Sequence, residues 1–299
     1  MKVIYLDTCA LDHLGKRWGA TDSDEQRLLS LVDARDISVP LSIITVEEIL
    51  SEMKSLLTDA IVSRLRLLLR LTDPGRTLKP PYMLLTDDIS SYAATGHRGS
   101  PLLSGPAGFD VRLALSELLD HPRTERIKDI REIMRSAKDQ KEKFGQYIGS
   151  GMSEMRKELR LAKSRGETFP NFVEYFNSRV EKTVEHFAER VGVLAQCRSQ
   201  GLEGLLRIPS VSMAVGSMLS FGYSVAVEGV SAKGSYSRDL QHAPVAAARA
   251  EFFVTDDQAL VRLLKRVPNR NFDLLSLGEL LHSLRAQSQG WREPDLKGK

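Results

Sequence analysis

The sequence of 299 residues contains only two cysteines, Cys9 and Cys197, which lie far apart and belong to no cluster of cysteine and histidine with a metal-ligand spacing. This scarcity argues against a disulfide framework and against a zinc site of closely spaced cysteine and histidine ligands. It is typical of proteins of the reducing cytosol. A secretory signal is also missing, because Asp7 falls within the stretch that would have to be apolar. We therefore expect a cytoplasmic protein.

An excess of charge of one sign is lacking as well. The chain has 42 Lys and Arg against 39 Asp and Glu, a net charge of +3, which by itself does not indicate a nucleic-acid binder. A strongly apolar membrane span is missing too. The uncharged stretch from Ile208 to Val227 is long enough to cross a bilayer, but it contains Pro209, five serines and two glycines. We expect a buried packing helix there and no membrane partner.

What the chain does contain is an alternation of strands and helices at both of its ends. Apolar, β-branched runs predict buried strands at Lys2–Leu6, Ile37–Pro40, Glu251–Thr255 and Phe272–Leu275. Asp73-Pro74-Gly75 predicts a turn, and nearly everything from residue 110 to about 200 reads as charged helix. We therefore predict a three-layer α/β domain with a parallel sheet over residues 1–72 and 208–285, interrupted by a mainly helical insertion over 73–207 and followed by a polar tail over 286–299.

Four acidic residues fall at the ends of these predicted elements. Asp7 and Asp257 follow buried strands, whereas Glu48 and Asp239 lie at the N-terminal ends of predicted helices. In a parallel sheet these positions gather outside the carboxyl ends of the strands, so we expect the four side chains to converge on one cleft. Carboxylates this close repel each other unless a cation lies between them. Oxygen ligands without His or Cys indicate Mg²⁺ or Mn²⁺.

The segments that carry these acids resemble the three motif blocks of the PIN-domain nucleases, a superfamily that includes bacterial toxin ribonucleases. The segments are the N-terminal strand with LDT, SIITVEEIL, and DLQHAPVAAARAEFFVTDD, and Asp239 precedes Asp257 by 18 residues, as the family's third acid precedes its fourth. Glu48 matches the second acid better than its neighbours Glu47 and Glu52. The resemblance covers roughly half of the chain and implies a catalytic, metal-binding set of Asp7, Glu48, Asp239 and Asp257, with Thr8, Thr255 and Asp256 in support.

This resemblance implies a metal-dependent endoribonuclease, in which metal-activated water attacks a phosphodiester in line and leaves a 5′-phosphate. The implied substrate is RNA, single-stranded or structured like tRNA, and the role is either that of a toxin or defence effector or that of a housekeeping RNA processor. An inhibitory or regulatory protein partner and a homodimer stay open. The alternative is an inactive PIN-fold scaffold that acts through its insertion, against which the presence of all four acids argues. Another Mg²⁺-dependent phosphate enzyme would need a Gly-rich phosphate loop, which we do not find.

Each of these residues also has a purely structural interpretation. Asp7 and Asp257 are ordinary helix-capping residues, and Glu48 would complete a capping box in which Thr45 is the N-cap. His242, one turn after Asp239, is interpreted as a helix-start or packing residue rather than a catalytic base. Only the four acids taken together favour a metal site.

The predicted insertion carries a local excess of positive charge. The stretch from Arg123 to Arg165 has 13 Lys and Arg against 7 Asp and Glu. It is either a solvated helical face or an RNA clamp in which Phe144 and Tyr147 stack on unpaired bases. In the second case the residues that contact phosphates are Arg123, Arg126, Arg131, Arg135, Lys138 and Lys141.

Overall fold

The described residues of the chain form one parallel sheet of five strands, β3-β2-β1-β4-β5. The computed structural model describes residues 1–16, 23–51, 58–103, 110–120, 160–167, 171–230 and 239–289, with single positions between 121 and 159. The strands are β1 (Lys2–Leu6), β2 (Ile37–Ser42), β3 (Thr72–Leu78), β4 (Phe252–Val254) and β5 (Asp273–Leu275), and every neighbouring pair is parallel. The prediction that the strands from both ends of the chain share one sheet is therefore confirmed.

The direction in which strands are added reverses at β1. The chain moves outward from β1 to β2 and β3, and it later returns to the other side of β1 with β4 and β5. The backbone N–H of Asp7 donates to the carbonyl of Val254 at 3.2 Å, which joins the carboxyl ends of β1 and β4. In open parallel sheets the crevice at such a reversal point is the usual ligand site.

Helices cover both faces of the sheet. They are α1 (Thr8–Lys16), α2 (Ser23–Asp33), α3 (Ile43–Ser51), α4 (Asp59–Leu71), α5 (Pro81–Thr95), α6 (Val111–Asp120), α7 (Phe172–Asn177), α8 (Val180–Val191), α9 (Leu194–Gln200), α10 (Leu202–Leu205), α11 (Pro209–Ala226), α12 (His242–Ala247), α13 (Gln258–Lys265) and α14 (Leu277–Gln289). Side chains of α1 to α4, α6 and α14 share one apolar core with Ile4 and Leu6. Those of α5 and α7 to α13 share the other with Tyr5. Because neighbouring side chains of a strand point to opposite faces, β1 feeds both cores and the architecture has three layers.

Strand β3 differs from the sequence-based expectation. Val39 of β2 pairs with Thr72 and Leu41 with Thr77, so β3 bulges between these two pairs. Asp73-Pro74-Gly75, predicted as a turn, lies in this bulge, where Gly75 adopts a positive φ of 70°. An edge strand tolerates a proline and a bulge because one side of it makes no ladder hydrogen bonds. The predicted domain division at residue 73 stays a prediction, although β3 extends the sheet beyond it.

The described parts of the predicted insertion pack into the two cores. Helix α6 lies in the core of α4, and α8 to α10 pack with α5 and α11. Tyr175, Phe187 and Cys197 are almost completely buried there. The charged helical pattern predicts that residues 110–200 project from the domain as helices, and for the described residues this prediction is wrong. The apolar faces of these helices form part of a layer that covers the sheet.

The uncharged stretch from Ile208 to Val227 forms α11, and most of its residues are buried, which confirms the predicted packing helix. Its small residues allow close contacts: the Ser220 hydroxyl donates to the Leu263 carbonyl at 2.7 Å, and Gly216 faces Val267. Among the described residues, no helix has the length and apolar character that crossing a membrane requires.

Candidate active site

A cavity of about 520 Å³ opens where β1 and β4 end. The four acids that the sequence singled out all lie in its wall, although they come from widely separated parts of the chain. The described residues that line it are Asp7, Thr8, Cys9, Asp12, Glu48, Ser51, Asp239, His242, Asp257 and Leu260. The cavity therefore lies at the reversal point of the sheet, where a ligand site is expected.

Asp7 follows β1 directly and caps α1. Its Oδ1 accepts a hydrogen bond from the backbone N–H of Ala10 at 2.8 Å. Burial raises the pKa of its carboxyl to about 6, against the lowering influence of His242 and of hydrogen bonds from Thr255 and Ala10. Asp7 thus caps a helix and also places a buried carboxyl in the cavity wall.

Asp257, which follows β4, likewise both caps a helix and lines the cavity. It is the N-cap of α13, and its Oδ1 accepts hydrogen bonds from the N–H groups of Ala259 at 2.8 Å and Leu260 at 3.1 Å. The hydroxyl of Thr255 accepts from the Asp257 N–H at 3.1 Å, and the same side chain hydrogen-bonds the carboxyl of Asp7. The completely buried Thr255 therefore connects the two acids.

Glu48 does not complete a capping box. Helix α3 begins at Ile43, directly after β2, so Thr45 lies inside the helix and the predicted N-cap is wrong. The Glu48 carboxylate instead extends across the cavity, where its Oε2 accepts a hydrogen bond from the Thr8 hydroxyl. The same oxygen lies 3.1 Å from Nε2 of His242. Contacts with α1 and α12 therefore hold Glu48 in the site.

The neighbouring glutamates do not replace Glu48. Glu47 is buried, and its side chain is not part of the cavity lining. Glu52 lies outside the described residues.

Asp239 lies three residues before α12. We expected it to open the Ala-rich helix, but the regular helix begins at His242. Pro244 falls in the first turn of this helix, where proline is tolerated because it lacks the N–H that a later position would have to donate. Burial, followed by the negative charge of Asp257, raises the pKa of Asp239 to about 6. The negatively charged side chains in the cavity therefore lie close enough to repel one another.

His242 is the functional candidate that sequence reasoning undervalued. It begins α12 and is buried, as its interpretation as a helix-start or packing residue required, but it also contacts two polar side chains. Its Nδ1 lies 2.7 Å from the Tyr5 hydroxyl and its Nε2 contacts Glu48. Burial lowers the pKa of His242, but Tyr5, Glu48 and Asp7 outweigh it and hold the pKa well above its ordinary value. His242 therefore adds a basic side chain to a cavity wall that is otherwise acidic. Its place three residues after Asp239, within the same motif block, was the signal available in the sequence.

Cys9 also lines the cavity, next to Thr8. Burial and then the negative charge of Asp7 raise the pKa of its thiol to about 11. The thiol is therefore protonated at neutral pH, which makes Cys9 a poor nucleophile and a poor metal ligand.

Asp256, predicted as a supporting residue, is not among the residues that line the cavity. Its Oδ1 accepts from the N–H of Leu277 at 3.0 Å, at the start of α14, and its Oδ2 lies 2.6 Å from Nδ1 of His13. These contacts join α14 to α1 beside the site. Asp12, which the sequence analysis did not consider, lines the cavity and pairs with Arg64 at 3.1 Å.

The four acids offer only oxygen donors, which is the chemistry that Mg²⁺ and Mn²⁺ prefer. Within the part of the chain that the structure describes, no three His, Cys, Asp or Glu side chains form a ready-made metal-binding group. Mg²⁺ commonly keeps several waters and uses one or two carboxylates together with substrate phosphates. Carboxylates spread around a cavity of about 520 Å³ leave room for such waters and for a substrate phosphate, and they do not form a dry cage.

The basic residues expected to contact RNA cannot be placed, because Arg123, Arg126, Arg131, Arg135, Lys138 and Lys141 all lie outside the described residues. Comparison with known proteins identifies no relative: no protein-family model, no curated protein and no solved structure matches the chain.

Proposed function

We propose that this chain is a metal-dependent endoribonuclease of the PIN-like type. The observation that carries the proposal is the convergence of Asp7, Glu48, Asp239 and Asp257 on one cavity at the reversal point of a parallel sheet. Two of these carboxyls, those of Asp7 and Asp239, have pKa values raised to about 6. Perturbed carboxyls in a cleft are characteristic of functional sites.

The charge of the cavity supports a requirement for a divalent cation. Five carboxyl side chains line it, and His242 is the one basic side chain in the described lining. A phosphodiester would be repelled from such a surface, because like charges at short range are unfavourable. A bound Mg²⁺ or Mn²⁺ supplies the missing positive charge and makes a water acidic enough to act as the nucleophile.

The residues of the chain itself hold the site in shape. Thr255 fixes the carboxyl of Asp7 relative to Asp257, and Thr8 fixes Glu48. In the proposed reaction the oxygen of water forms a bond to phosphorus and the bond from phosphorus to the 3′ oxygen breaks. The products are a 5′-phosphate and a 3′-hydroxyl.

The decisive experiment is cleavage of end-labelled RNA by the purified chain. We expect cleavage in Mn²⁺ or Mg²⁺, loss of cleavage in EDTA, and 5′-phosphate ends on the downstream products. Asp239→Asn should abolish cleavage. Asp33→Asn is the matched control, because Asp33 is exposed at the end of α2, just before the amino end of β2, whereas the cavity lies at the carboxyl ends of the strands. A folded wild-type protein that leaves RNA intact with both metals would refute the proposal and favour the scaffold alternative.

We further propose that the basic stretch in residues 123–165 contacts RNA phosphates. Binding should then weaken steeply with salt, with a slope of about 0.7 per neutralised phosphate for single-stranded RNA. The measurement uses Asp7→Asn protein in Ca²⁺, so that cleavage does not disturb the equilibrium. Reversing the six basic charges should flatten the slope. Equal slopes with and without those charges would assign the stretch to a solvated face or to docking of a protein partner.

The proposed biological role is that of a toxin or defence effector, which needs an activity that harms cells. We expect induced expression of the wild-type chain to arrest growth of a bacterial host. Expression of Asp7→Asn at the same level should not. If the wild type and Asp7→Asn both arrest growth, the toxicity does not depend on the acidic site, and the proposed role is wrong.

A further inference from the structure

A line of buried polar groups leads from the sheet to the cavity. Oη of Tyr5 lies 3.0 Å from Oγ of Ser42 and 2.7 Å from Nδ1 of His242, and Nε2 of His242 lies 3.1 Å from Oε2 of Glu48. Tyr5 is 0% exposed, and Ser42 and His242 are each 3% exposed. Burying polar groups at this depth is unfavourable unless they bond to each other. Because phenylalanine would fill nearly the same space as Tyr5, packing alone does not account for the hydroxyl.

One end of this line lies in the protein core and the other end lies in the cavity wall. Tyr5 and Ser42 are absent from the cavity lining, whereas His242 and Glu48 belong to it. The hydrogen bond that one imidazole nitrogen makes determines how the other nitrogen is presented. The contact between Tyr5 and Nδ1 therefore aims Nε2 of His242 at Glu48. The Thr8 hydroxyl donates to the same carboxylate oxygen, so Glu48 is held from two sides.

We propose that His242 is a positioning residue, which is anchored by the Tyr5 hydroxyl and orients the Glu48 carboxylate toward the cation. The inference rests on the proposed function, but it adds a residue and a buried anchor that the four acids do not include. Partners that orient the ligands of a metal commonly change its affinity by about 10-fold to 100-fold when they are removed. The anchor should therefore influence metal binding without touching the metal.

The test is the affinity of the full chain for Mn²⁺, measured by isothermal titration calorimetry. Tyr5→Phe keeps His242 and the shape of the core, and removes only the anchoring hydroxyl. We expect it to weaken Mn²⁺ binding about 10-fold. The matched control is Tyr175→Phe, since Tyr175 is also completely buried in the same apolar core but lies on α7, away from the cavity lining. Thermal unfolding without metal measures the loss of stability in each variant, and only Tyr5→Phe should change the affinity.

The possible failures are distinguishable. Mn²⁺ binding by folded Tyr5→Phe with wild-type affinity, while Asp7→Asn loses binding, would overturn the positioning role and leave the nuclease site intact. If Tyr5→Phe does not fold, Ser42→Ala removes the far end of the same line and should weaken binding in the same sense; unchanged affinity there would also overturn the role. A wild-type chain that binds no Mn²⁺ would refute the proposed function and this inference together.

Discussion

Replacing Asp7 by asparagine should stabilise the metal-free protein while it abolishes cleavage. Burial raises the Asp7 pKa from 3.8 to about 6. A difference of one between the pKa values of the unfolded and folded chain corresponds to about 1.4 kcal/mol. Keeping this carboxylate ionised at neutral pH therefore lowers the unfolding free energy by about 3 kcal/mol. Asparagine is a good N-cap and can still accept the hydrogen bond from the Ala10 N–H. Because burying the amide also has a cost, we expect a gain in unfolding free energy of about 1–3 kcal/mol.

The pH dependence of this gain follows from the direction of the shift. Below the ordinary pKa of 3.8 the carboxyl is protonated in both the folded and the unfolded chain, so ionisation costs nothing. As the pH rises toward about 6, the unfolded chain releases its proton first, and the wild-type protein loses stability. Above that pH the loss is complete. The Asp7→Asn variant lacks this titration. Its advantage in unfolding free energy over the wild type should therefore grow between pH 3.8 and about pH 6 and stay constant above that.

The assay is urea unfolding of wild type, Asp7→Asn and the control Asp33→Asn in EDTA, at pH values from about 4 to about 8. Mn²⁺ at about 100 times its dissociation constant should then stabilise the wild type by about 2.7 kcal/mol and the Asp7 variant far less. Mn²⁺ would thereby reduce or reverse the difference in unfolding free energy between Asp7→Asn and the wild type. An Asp7→Asn protein that is less stable than wild type at neutral pH, or a difference that does not change with pH, would refute the reasoning.

Three further predictions test individual contacts. Glu48→Gln should reduce RNA cleavage by at least about 100-fold, because Glu48 lines the cavity, whereas Glu47→Gln, outside the lining, should retain cleavage in the same assay. Cys9 should react with iodoacetamide at neutral pH about 100-fold more slowly than an ordinary thiol, since its pKa is about 11; peptide mass spectrometry of the folded protein measures the rate, and rapid labelling would contradict the raised pKa. Gly216→Ala would place its Cβ 2.3 Å from Cγ1 of Val267, so it should lower the unfolding free energy by about 1–3 kcal/mol, and an unchanged urea midpoint would show that the helices shift at no cost.

The strands could be predicted from sequence wherever they are buried on both faces. Lys2–Leu6 and Phe252–Val254 are short apolar runs that end at acidic or hydroxyl residues, and a central parallel strand needs such a composition. Thr72–Leu78 has a different composition, because an edge strand can include proline and glycine. The local signal there was that of a turn, and only the pairing with β2 makes it a strand. Pairing is a long-range property that a local pattern does not contain.

The same distinction applies to the site. Asp7 and Asp257 could be predicted because the end of a parallel strand is a local feature, and the topology then brings the carboxyl ends of neighbouring strands together. The partnership of His242 with Glu48 spans 194 positions in sequence and depends on how α12 sits against β1. Likewise, Glu48 after Thr45 matches a capping box locally, but the direct passage from β2 into α3 places Thr45 inside the helix. Local sequence patterns suggest a helix-capping role for each of these residues, and only the tertiary structure determines which of them cap a helix.

The balance of charge in the cavity supports function independently of any resemblance to a family. Asp7 could cap α1 equally well as asparagine, and the raised pKa of its carboxyl means that the charge opposes folding. The same holds for Asp239, whose pKa is raised by burial and by Asp257. Neither charge is explained by helix capping or by packing, and His242 offsets only part of the repulsion. Destabilising charges that converge on one cavity are expected where a cation or a reaction needs them, because substitution would otherwise remove them at a gain in stability.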